Sequence, residues 1–347
     1  MNPLTIYKSR LYRTPALLAV AAVAAILFNS TVASAIEDYG RLNHAGRWIT
    51  DSKGRVIIIH GVNMPSKLPP AYPSAIGFKD DDGKFLEQLG FNGVRLTVER
   101  YAVEPTPGHF DPRYVEHMAG TIRMLARHGI LSLVDFHQDE YGPVFHDNGY
   151  PDWMTVTDGL TNNWEVLFPF QYLENPANMR AFDNLWTNDT GPDGKPLQQD
   201  DAEILAYVVR RLRDEPGILG YEILNEPWPG SQWEDCALSV TGCPDLDQSY
   251  LGAYYAQVIP AVRGADPKHM IWFEPFSTFN YGVPTSVAPP SDPNLGFSFH
   301  DYSLCAALGV PSCDPVAEAE AVLSNAIAYS ASTGDALLET EFGGGTD

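Results

Sequence analysis

The stretch Gly220-Tyr-Glu-Ile-Leu-Asn-Glu-Pro-Trp228 is a short apolar run that ends abruptly in an amide, a carboxylate and a proline. Proline cannot donate to a strand ladder, so the run is predicted to be a strand that stops before the proline. Asn225 and Glu226 then lie at the carboxyl end of that strand. A second run of the same form, Ala336-Leu-Leu-Glu-Thr-Glu-Phe-Gly-Gly344, places Glu341 beside a Phe-Gly-Gly break. Both stretches therefore predict a carboxylate at a strand end.

Further apolar runs of strand length alternate along the chain with segments of helical periodicity. The predicted strands are 56–60, 93–98, 130–137, 219–224, 270–275, 296–300 and 336–340. The predicted helices are 80–89, 113–128, 200–213, 250–263 and 316–330. Continuous apolar strands between helices indicate a parallel sheet that is covered on both faces. Seven such units favour an α/β fold of the (β/α)₈ barrel type over a doubly wound sheet, and no G-x-G-x-x-G motif follows a strand.

The first 35 residues have the pattern of a secretory signal peptide. Three basic residues precede an apolar stretch, 16–28, and Ala33-Ser-Ala35 fits a cleavage site. We therefore expect a secreted, extracellular protein whose catalytic domain is residues 36–347. An uncleaved membrane anchor is the alternative.

The four cysteines form two pairs that are close in sequence, Cys236 with Cys243 and Cys305 with Cys313. In an oxidising compartment this spacing predicts two short-loop disulfides, although four cysteines allow three pairings and only proximity favours this one. Neither pair has CxxC spacing and no histidine completes a zinc set. We expect no metal and no cofactor.

Composition restricts the classes of partner. The chain has 347 residues, 44% hydrophobic and 19% charged, which is typical of a globular protein. Its formal net charge of −22 disfavours nucleic-acid binding, because the neutralisation of phosphates needs a basic surface. The same charge disfavours polybasic docking to anionic lipid. We expect a monomer.

Every predicted strand ends in polar or charged residues. In chain order these are Asn63, Arg95, His137 with Asp139, Asn225 with Glu226, Glu274, His300 with Tyr302, and Glu341. Barrel active sites are assembled from such strand ends at the carboxyl face. Two carboxylates on that face suit a retaining glycosidase, in which one protonates the leaving oxygen and the other attacks the anomeric carbon.

At the level of motifs the chain resembles glycoside hydrolase family 5, and within it the bacterial endoglycosylceramidases. The matching stretches are His60-Gly-Val-Asn-Met-Pro-Ser-Lys67, Val94-Arg-Leu96, Asp135-Phe-His-Gln-Asp139, Asn225-Glu-Pro-Trp-Pro-Gly-Ser231, Gly296-Phe-Ser-Phe-His-Asp-Tyr302 and Glu341-Phe-Gly343. The resemblance implies a (β/α)₈ barrel followed by a C-terminal β-sandwich. Because the chain stops soon after the seventh predicted strand, we expect an incomplete barrel that lacks the eighth βα unit and the sandwich.

The resemblance also implies roles for the strand-end residues. Glu226 would be the general acid/base and Glu341 the nucleophile. Arg95 would hold Glu341 ionised, and Asn225 would bond the sugar 2-hydroxyl.

The remaining site residues are predicted to orient the carboxylates or to bind sugar. His300 and Tyr302 would orient the carboxylates; the predicted sugar contacts are Lys67, His137 and Asp139. Glu274, which precedes a proline much as Glu226 does, is predicted either to contact the substrate or to support the residues that do. Two alternatives stay open from the residues alone. Glu339 competes with Glu341, since alternation would put both on one face of the strand, and Asp139 could belong to a solvated acidic loop.

The predicted reaction is hydrolysis of the β-glycosidic bond between oligosaccharide and ceramide in a glycosphingolipid, by double displacement. The expected partner is a glycolipid or oligosaccharide substrate, with transient contact to a membrane or micelle surface. Aromatic loop residues suit both a sugar ring and a lipid tail. A cellulase-like β-glycanase or β-glucosidase of the same fold, and an inactive fragment, are the alternatives.

Overall fold

The computed structural model describes residue 36 and residues 39–237, 239–303 and 314–343. The predicted signal peptide and the predicted Cys305–Cys313 pair lie outside these residues. The predicted Cys236–Cys243 disulfide is present. Among the described helices, none has both the length and the apolar character needed to cross a bilayer.

Seven strands of the described chain form one parallel sheet, in which each strand neighbours the next in sequence. A two-stranded antiparallel hairpin precedes it. The hairpin strands are β1 (Asn43–Ala45) and β2 (Trp48–Thr50). The sheet strands are β3 (Gly61–Met64), β4 (Gly93–Glu99), β5 (Leu131–His137), β6 (Ile218–Glu222), β7 (Met270–Phe273), β8 (Leu295–Tyr302) and β9 (Ala336–Gly343). The prediction of a (β/α)₈-type barrel with seven of its strands is confirmed.

Helices connect the strands and cover the outside of the sheet. They are α1 (Asp80–Gln88), α2 (Arg100–Val103), α3 (Pro112–Arg127), α4 (Gln171–Glu174), α5 (Pro176–Trp186), α6 (Leu197–Leu212), α7 (Trp233–Ala237), α8 (Pro244–Leu246), α9 (Ala253–Ala265) and α10 (Pro315–Thr333). Asp111 and Asp314 cap α3 and α10, each accepting from backbone amides of the first turn. The long insertion between β5 and α6 holds α4 and α5, which periodicity did not predict.

The first strand was predicted one segment too early. The apolar run 56–60 does not join the sheet, which begins at Gly61. The side chain of Asn92 forms hydrogen bonds with the backbone of this run: it accepts from the amide of His60 and donates to the carbonyl of Ile58. Ile57 is buried with Ile49 of the hairpin, below the barrel. Within the run, Ile57 packs at the base of the barrel, whereas Val56 and Ile58 are exposed.

Trp272 of β7 fills the barrel interior and is fully buried. Glycines on the two flanking strands make room for its indole. A Cβ atom at Gly296 would lie 2.2 Å from the ring, and one at Gly220 would lie 2.6 Å from it. Interiors are packed at crystal-like density, so both positions require glycine.

The strands β3 and β9 are the two edges of the sheet in the described chain. Asn63 Nδ2 donates to the carbonyl of Thr340 across the gap at 3.0 Å. A mostly apolar cleft of about 750 Å³ opens between the edges, and Ile58, Phe91 and Leu337 are among its lining residues. The two edges and this opening agree with the expected incomplete barrel.

A buried ion pair fixes the carboxyl ends of β5 and β6. Arg100 donates through Nε to Asp201 Oδ1 at 2.6 Å, and neither side chain is exposed. The same guanidinium donates to the carbonyls of Phe136 at 3.0 Å and Ile223 at 2.8 Å. Two tyrosine hydroxyls complete the carboxylate of Asp201: Tyr150 at 3.0 Å and Tyr254 at 2.5 Å. The ends of the strands that lead to His137 and Glu226 are therefore tied to α6.

Candidate active site

All ten predicted site residues lie at the carboxyl face of the barrel. Arg95, His137, His300, Tyr302 and Glu341 stand on β4, β5, β8 and β9. The others follow strand ends in loops: Lys67, Asp139, Asn225, Glu226 and Glu274. The roles assigned to them from sequence stay predictions, but the structure brings the whole set together.

Glu341 is held by two donors from neighbouring strands. Arg95 Nη1 donates to its Oε1, and the Tyr302 hydroxyl donates to its Oε2 at 2.8 Å. Burial alone would raise the pKa of Glu341, but the charges of His300 and Arg95 and the Tyr302 hydrogen bond outweigh burial and hold the pKa well below its usual value. Glu341 is therefore ionised and fixed in orientation.

Glu339 is separated from this site by a β-bulge, so the expectation that Glu339 and Glu341 share one face is wrong. Glu339 pairs with Phe299 and Glu341 pairs with His300, which leaves Thr340 as an extra residue in β9. Phe299 and His300 are consecutive and point to opposite faces, and so do their partners. Only Glu341 reaches the carboxyl-face site.

Glu226 faces Glu341 across a narrow space. One carboxylate oxygen of each lies within 4.8 Å of the other and of a ring nitrogen of His300. Glu226 Oε1 is bonded to His300 Nδ1 at 2.7 Å and receives Asn280 Nδ2 at 2.8 Å. Within the described chain, Glu226 Oε2 has no hydrogen-bond partner, so it is available to a bound molecule.

Arg95 is buried and lies within ion-pair distance of four carboxylates. These belong to Asp135, Glu222, Glu274 and Glu341. Its Nε donates to Glu222 Oε2 at 2.5 Å, and its Nη2 lies 3.2 Å from Asp135 Oδ2. Sequence reasoning gave neither residue a role. A signal existed for both, since each is a charge inside an apolar strand, and such charges are rarely buried unless paired. Asn225 Oδ1 also accepts from Arg95 Nη2 at 2.7 Å.

A second polar group adjoins the pair of carboxylates. His137 Nδ1 lies 2.6 Å from Asp135 Oδ2, and its Nε2 lies 3.3 Å from Asp139 Oδ2. Lys67 Nζ donates to the same Asp139 oxygen at 2.5 Å. Burial would raise the pKa of Asp139, but His137 and Lys67 hold it well below its usual value. Asp139 is thus a paired carboxylate rather than a solvated loop charge.

Glu274 does not open into the space between the two carboxylates. It is 1% exposed, and its Oε2 accepts the backbone amide of Glu226 at 3.0 Å. Burial raises its pKa well above the usual value. Its contacts in the structure are to protein groups, and the sequence left open either a substrate contact or a supporting role.

Glu226, His300 and Glu341 are also the residues whose atoms could surround a metal ion. Burial would lower the pKa of His300, but the carboxylates of Glu274, Glu341 and Glu226 raise it to about 10. The imidazole is therefore an imidazolium whose Nδ1 donates to Glu226. A cation at this place would have to displace that proton, so the donor set suits a proton-transfer site better than a metal.

The two buried imidazolium ions predict a pH-dependent stability. Burial would lower the pKa of His137, but Asp135 and Asp139 raise it to about 10, as for His300. A folded pKa above the unfolded value of about 6.5 means that the folded state binds more protons. The contribution is fully present below about pH 6.5 and is lost as the pH rises through 10. We expect urea unfolding to give a smaller free energy at pH 9.5 than at pH 6.5.

Substitution separates this effect from general alkaline destabilisation. His300→Asn should flatten the dependence of the unfolding free energy on pH between 6.5 and 9.5. His109→Asn, at an exposed histidine whose ring bonds to the carbonyl of Pro107, should keep the wild-type dependence. Equal slopes in the wild type and in His300→Asn would contradict the assignment.

Two carboxylates that face each other at the carboxyl face of a parallel (β/α)-type barrel are the arrangement typical of the O-glycosyl hydrolase class. The family model for cellulase (glycosyl hydrolase family 5) matches residues 50–347. The chain belongs to glycosyl hydrolase family 5.

Several proteins to which the chain is similar are endoglycoceramidases. Endoglycoceramidase I of Rhodococcus hoagii (strain 103S) is 32% identical over 317 residues, which cover 86% of this chain and 62% of that protein. Endo-glycoceramidase II from Rhodococcus sp., solved with ganglioside GM3, is 25% identical with a TM-score of 0.71 and coverages of 84% and 68%. Its lactosyl-enzyme intermediate is 26% identical with a TM-score of 0.69 and coverages of 83% and 66%. The chain thus spans about two thirds of the length of these relatives.

Proposed function

We propose that this chain is a secreted retaining glycosidase that hydrolyses the β-glycosidic bond between oligosaccharide and ceramide in glycosphingolipids. The observation that carries the proposal is the Glu226–Glu341 pair, whose nearest oxygens lie within 4.8 Å. Retaining enzymes place their carboxyl groups about 5–5.5 Å apart, whereas inverting enzymes need about 6.5–9.5 Å to admit a water between them.

In the first step of the proposed reaction, Glu341 attacks the anomeric carbon and Glu226 donates a proton to the leaving oxygen. The bond from sugar to ceramide oxygen breaks, and a glycosyl ester of Glu341 forms. In the second step Glu226 takes a proton from water, which attacks the same carbon and releases the sugar with its β-configuration. The lactosyl-enzyme intermediate of the Rhodococcus relative supports such a covalent step here.

The substrate class is supported by an apolar surface beside the site, which we call the 160–170 patch. It belongs to the loop between β5 and α4, whose first residues include Asp139. Its exposed apolar members are Leu160, Trp164, Leu167, Phe168 and Phe170. Clustered exposed apolar residues mark contact with a protein, a membrane or an apolar ligand. The aromatic members could also stack on the sugar rings of a polysaccharide, whereas the exposed aliphatic side chains of Leu160 and Leu167 suit the lipid part of a glycolipid.

The loop that carries the patch is anchored to the catalytic face. The amide of Glu140 donates to the Tyr172 hydroxyl at 2.7 Å, and Trp228 Nε1 donates to the Tyr172 carbonyl at 3.1 Å. The C-terminal end of the patch therefore lies close to Trp228, two residues after Glu226. A ceramide that leaves the site on the Glu226 side would meet this surface.

The experiment is hydrolysis of a glycosylceramide in detergent micelles. We expect intact oligosaccharide and ceramide as products, no free monosaccharide, and a β-anomer as the first sugar species seen by proton NMR. Cleavage of cellulose together with inertness toward every glycosphingolipid would make the chain a β-glycanase of the same fold. An α-anomer as first product would overturn the retaining mechanism.

A variant in the patch tests the lipid contact separately. The double variant Leu167→Ser/Phe168→Ser should lower kcat/KM on the micellar glycolipid about tenfold, from the loss of two apolar contacts. Its kcat/KM on a soluble aryl β-glycoside should be unchanged. The matched control is Val240→Ser, an exposed apolar residue in the loop between α7 and α8. Equal losses on both substrates would remove the lipid-binding role of the patch.

A further inference from the structure

Gln138 is a fully buried glutamine that joins the loop after β5 to the loop after β6. Its Nε2 donates to two successive carbonyl oxygens, those of Asn225 and Glu226, both at 2.9 Å. Its Oε1 accepts the amide of Tyr141 at 2.8 Å. The connection is reciprocal, since Asn225 Nδ2 donates to the Gln138 carbonyl at 3.0 Å.

The backbone that Gln138 holds is strained. Glu226 has a φ of +43°, in the left-handed region that non-glycine residues rarely adopt. Residues in this region persist only where their surroundings fix them, and they cluster at functional sites. Both peptide groups that flank Glu226 are fixed. Its amide donates to Glu274 Oε2, and its carbonyl accepts a hydrogen bond from Gln138 Nε2. Glu140 and Tyr141, at the other end of the Gln138 side chain, also have positive φ.

The nucleophile is held by groups that do not contact Gln138, although Arg95 and Gln138 both bond to Asn225. Arg95 and Tyr302 orient Glu341 from β4 and β8, and neither of them bonds to Gln138. Loss of Gln138 would therefore release the backbone of Glu226 while leaving the carboxylate of Glu341 in place. This asymmetry makes the two roles separable by experiment.

We propose that Gln138 is a positioning residue for Glu226: it fixes the left-handed backbone that aims the Glu226 carboxyl group at the leaving oxygen. The inference rests on the proposed roles of Glu226 and Glu341. It predicts that Gln138 supports proton donation and not nucleophilic attack.

The chain offers a matched control for a buried glutamine. Gln198 at the start of α6 is also buried, and its Nε2 also donates to two successive carbonyl oxygens, of Leu185 at 2.8 Å and Trp186 at 3.3 Å. It contacts none of the ten site residues. Gln198→Met and Gln138→Met therefore remove similar hydrogen bonds. They differ because only Gln138→Met frees the backbone of Asn225 and Glu226.

The experiment compares two aryl β-lactosides, one with a phenyl and one with a 2,4-dinitrophenyl leaving group. Only the phenyl compound needs a proton donor to leave. Gln138→Met should lower kcat/KM on the phenyl lactoside about a hundredfold, the scale of a small misplacement of a catalytic group. Its rate on the dinitrophenyl lactoside should stay close to the wild-type rate. Gln198→Met should change both rates by the same factor.

A second variant and a reference keep the outcomes distinct. Gln138→Glu retains the acceptor for Tyr141 but replaces the donor to the two carbonyls, and it should show the same split between substrates. Equal losses on both lactosides in both Gln138 variants would reduce Gln138 to a structural residue. If Glu226→Gln itself shows no split, the proposed acid role fails; if only Glu226→Gln shows it, the inference on Gln138 fails alone.

Discussion

Glu341→Gln is expected to abolish turnover of an activated aryl β-glycoside while sugar binding remains. An amide is a poor nucleophile, and it also loses the charge that pairs with Arg95. Glu226→Gln should lower the rate on substrates with poor leaving groups by about 10²–10⁴-fold, and much less on those with good ones. Steady-state kinetics on both substrate types, with binding measured by calorimetry, test the expectation.

Glu339→Gln is the matched control for the nucleophile. Glu339 lies two residues away on the same strand, but the bulge turns it to the opposite face and it is exposed. Its substitution should leave turnover unchanged. Loss of turnover in Glu339→Gln together with activity in Glu341→Gln would reverse the assignment.

Arg100→Met is expected to cause the largest loss of stability, about 3–5 kcal/mol in the free energy of unfolding. Removing one partner of a buried ion pair leaves the other as an uncompensated buried charge. Here Asp201 would lose its cationic partner, and the carbonyls of Phe136 and Ile223 would lose a donor. Urea unfolding followed by circular dichroism measures the change.

The control for Arg100 is an exposed pair on the same kind of element. Arg127 of α3 donates to Asp80 at 3.0 Å, and both side chains are more than half exposed. Arg127→Met should change the free energy of unfolding by no more than about 0.5 kcal/mol, as is usual for surface substitutions. If Arg100→Met unfolded at the same urea concentration as Arg127→Met, the buried ion pair would not stabilise the carboxyl ends of the strands.

The strand-end residues could be predicted from sequence because the fold makes sequence order equivalent to spatial order. In a parallel sheet with consecutive neighbours, all carboxyl ends meet at one face. Arg95 and Glu341 are 246 residues apart in the chain, yet one hydrogen bond joins them. Glu341 stands near the carboxyl end of β9 and Arg95 within β4, and assigning both to parallel strands of one barrel was sufficient to bring them together.

The residues that sequence reasoning missed act through backbone geometry or through irregular segments. Asn280 contacts Glu226 from a short 3-10 helix, Ser277–Tyr281, that has no periodic signal. Gln138 acts on carbonyl groups, which every residue possesses, so its partners leave no mark on composition. The first strand was misplaced because an apolar run was assigned to the sheet, although Ile57 packs below it.

The bulge at Thr340 has a consequence for how related chains are read against one another. Side chains of a strand alternate between the two faces of the sheet. One extra residue reverses the face on which every later side chain lies. Deletion of Thr340 would restore strict alternation and would still leave Glu341 opposite His300, on the side that faces Arg95. At this strand a gap of one position in an alignment therefore changes which residue is placed opposite His300, so aligning the residues upstream of the bulge does not by itself identify the reactive glutamate.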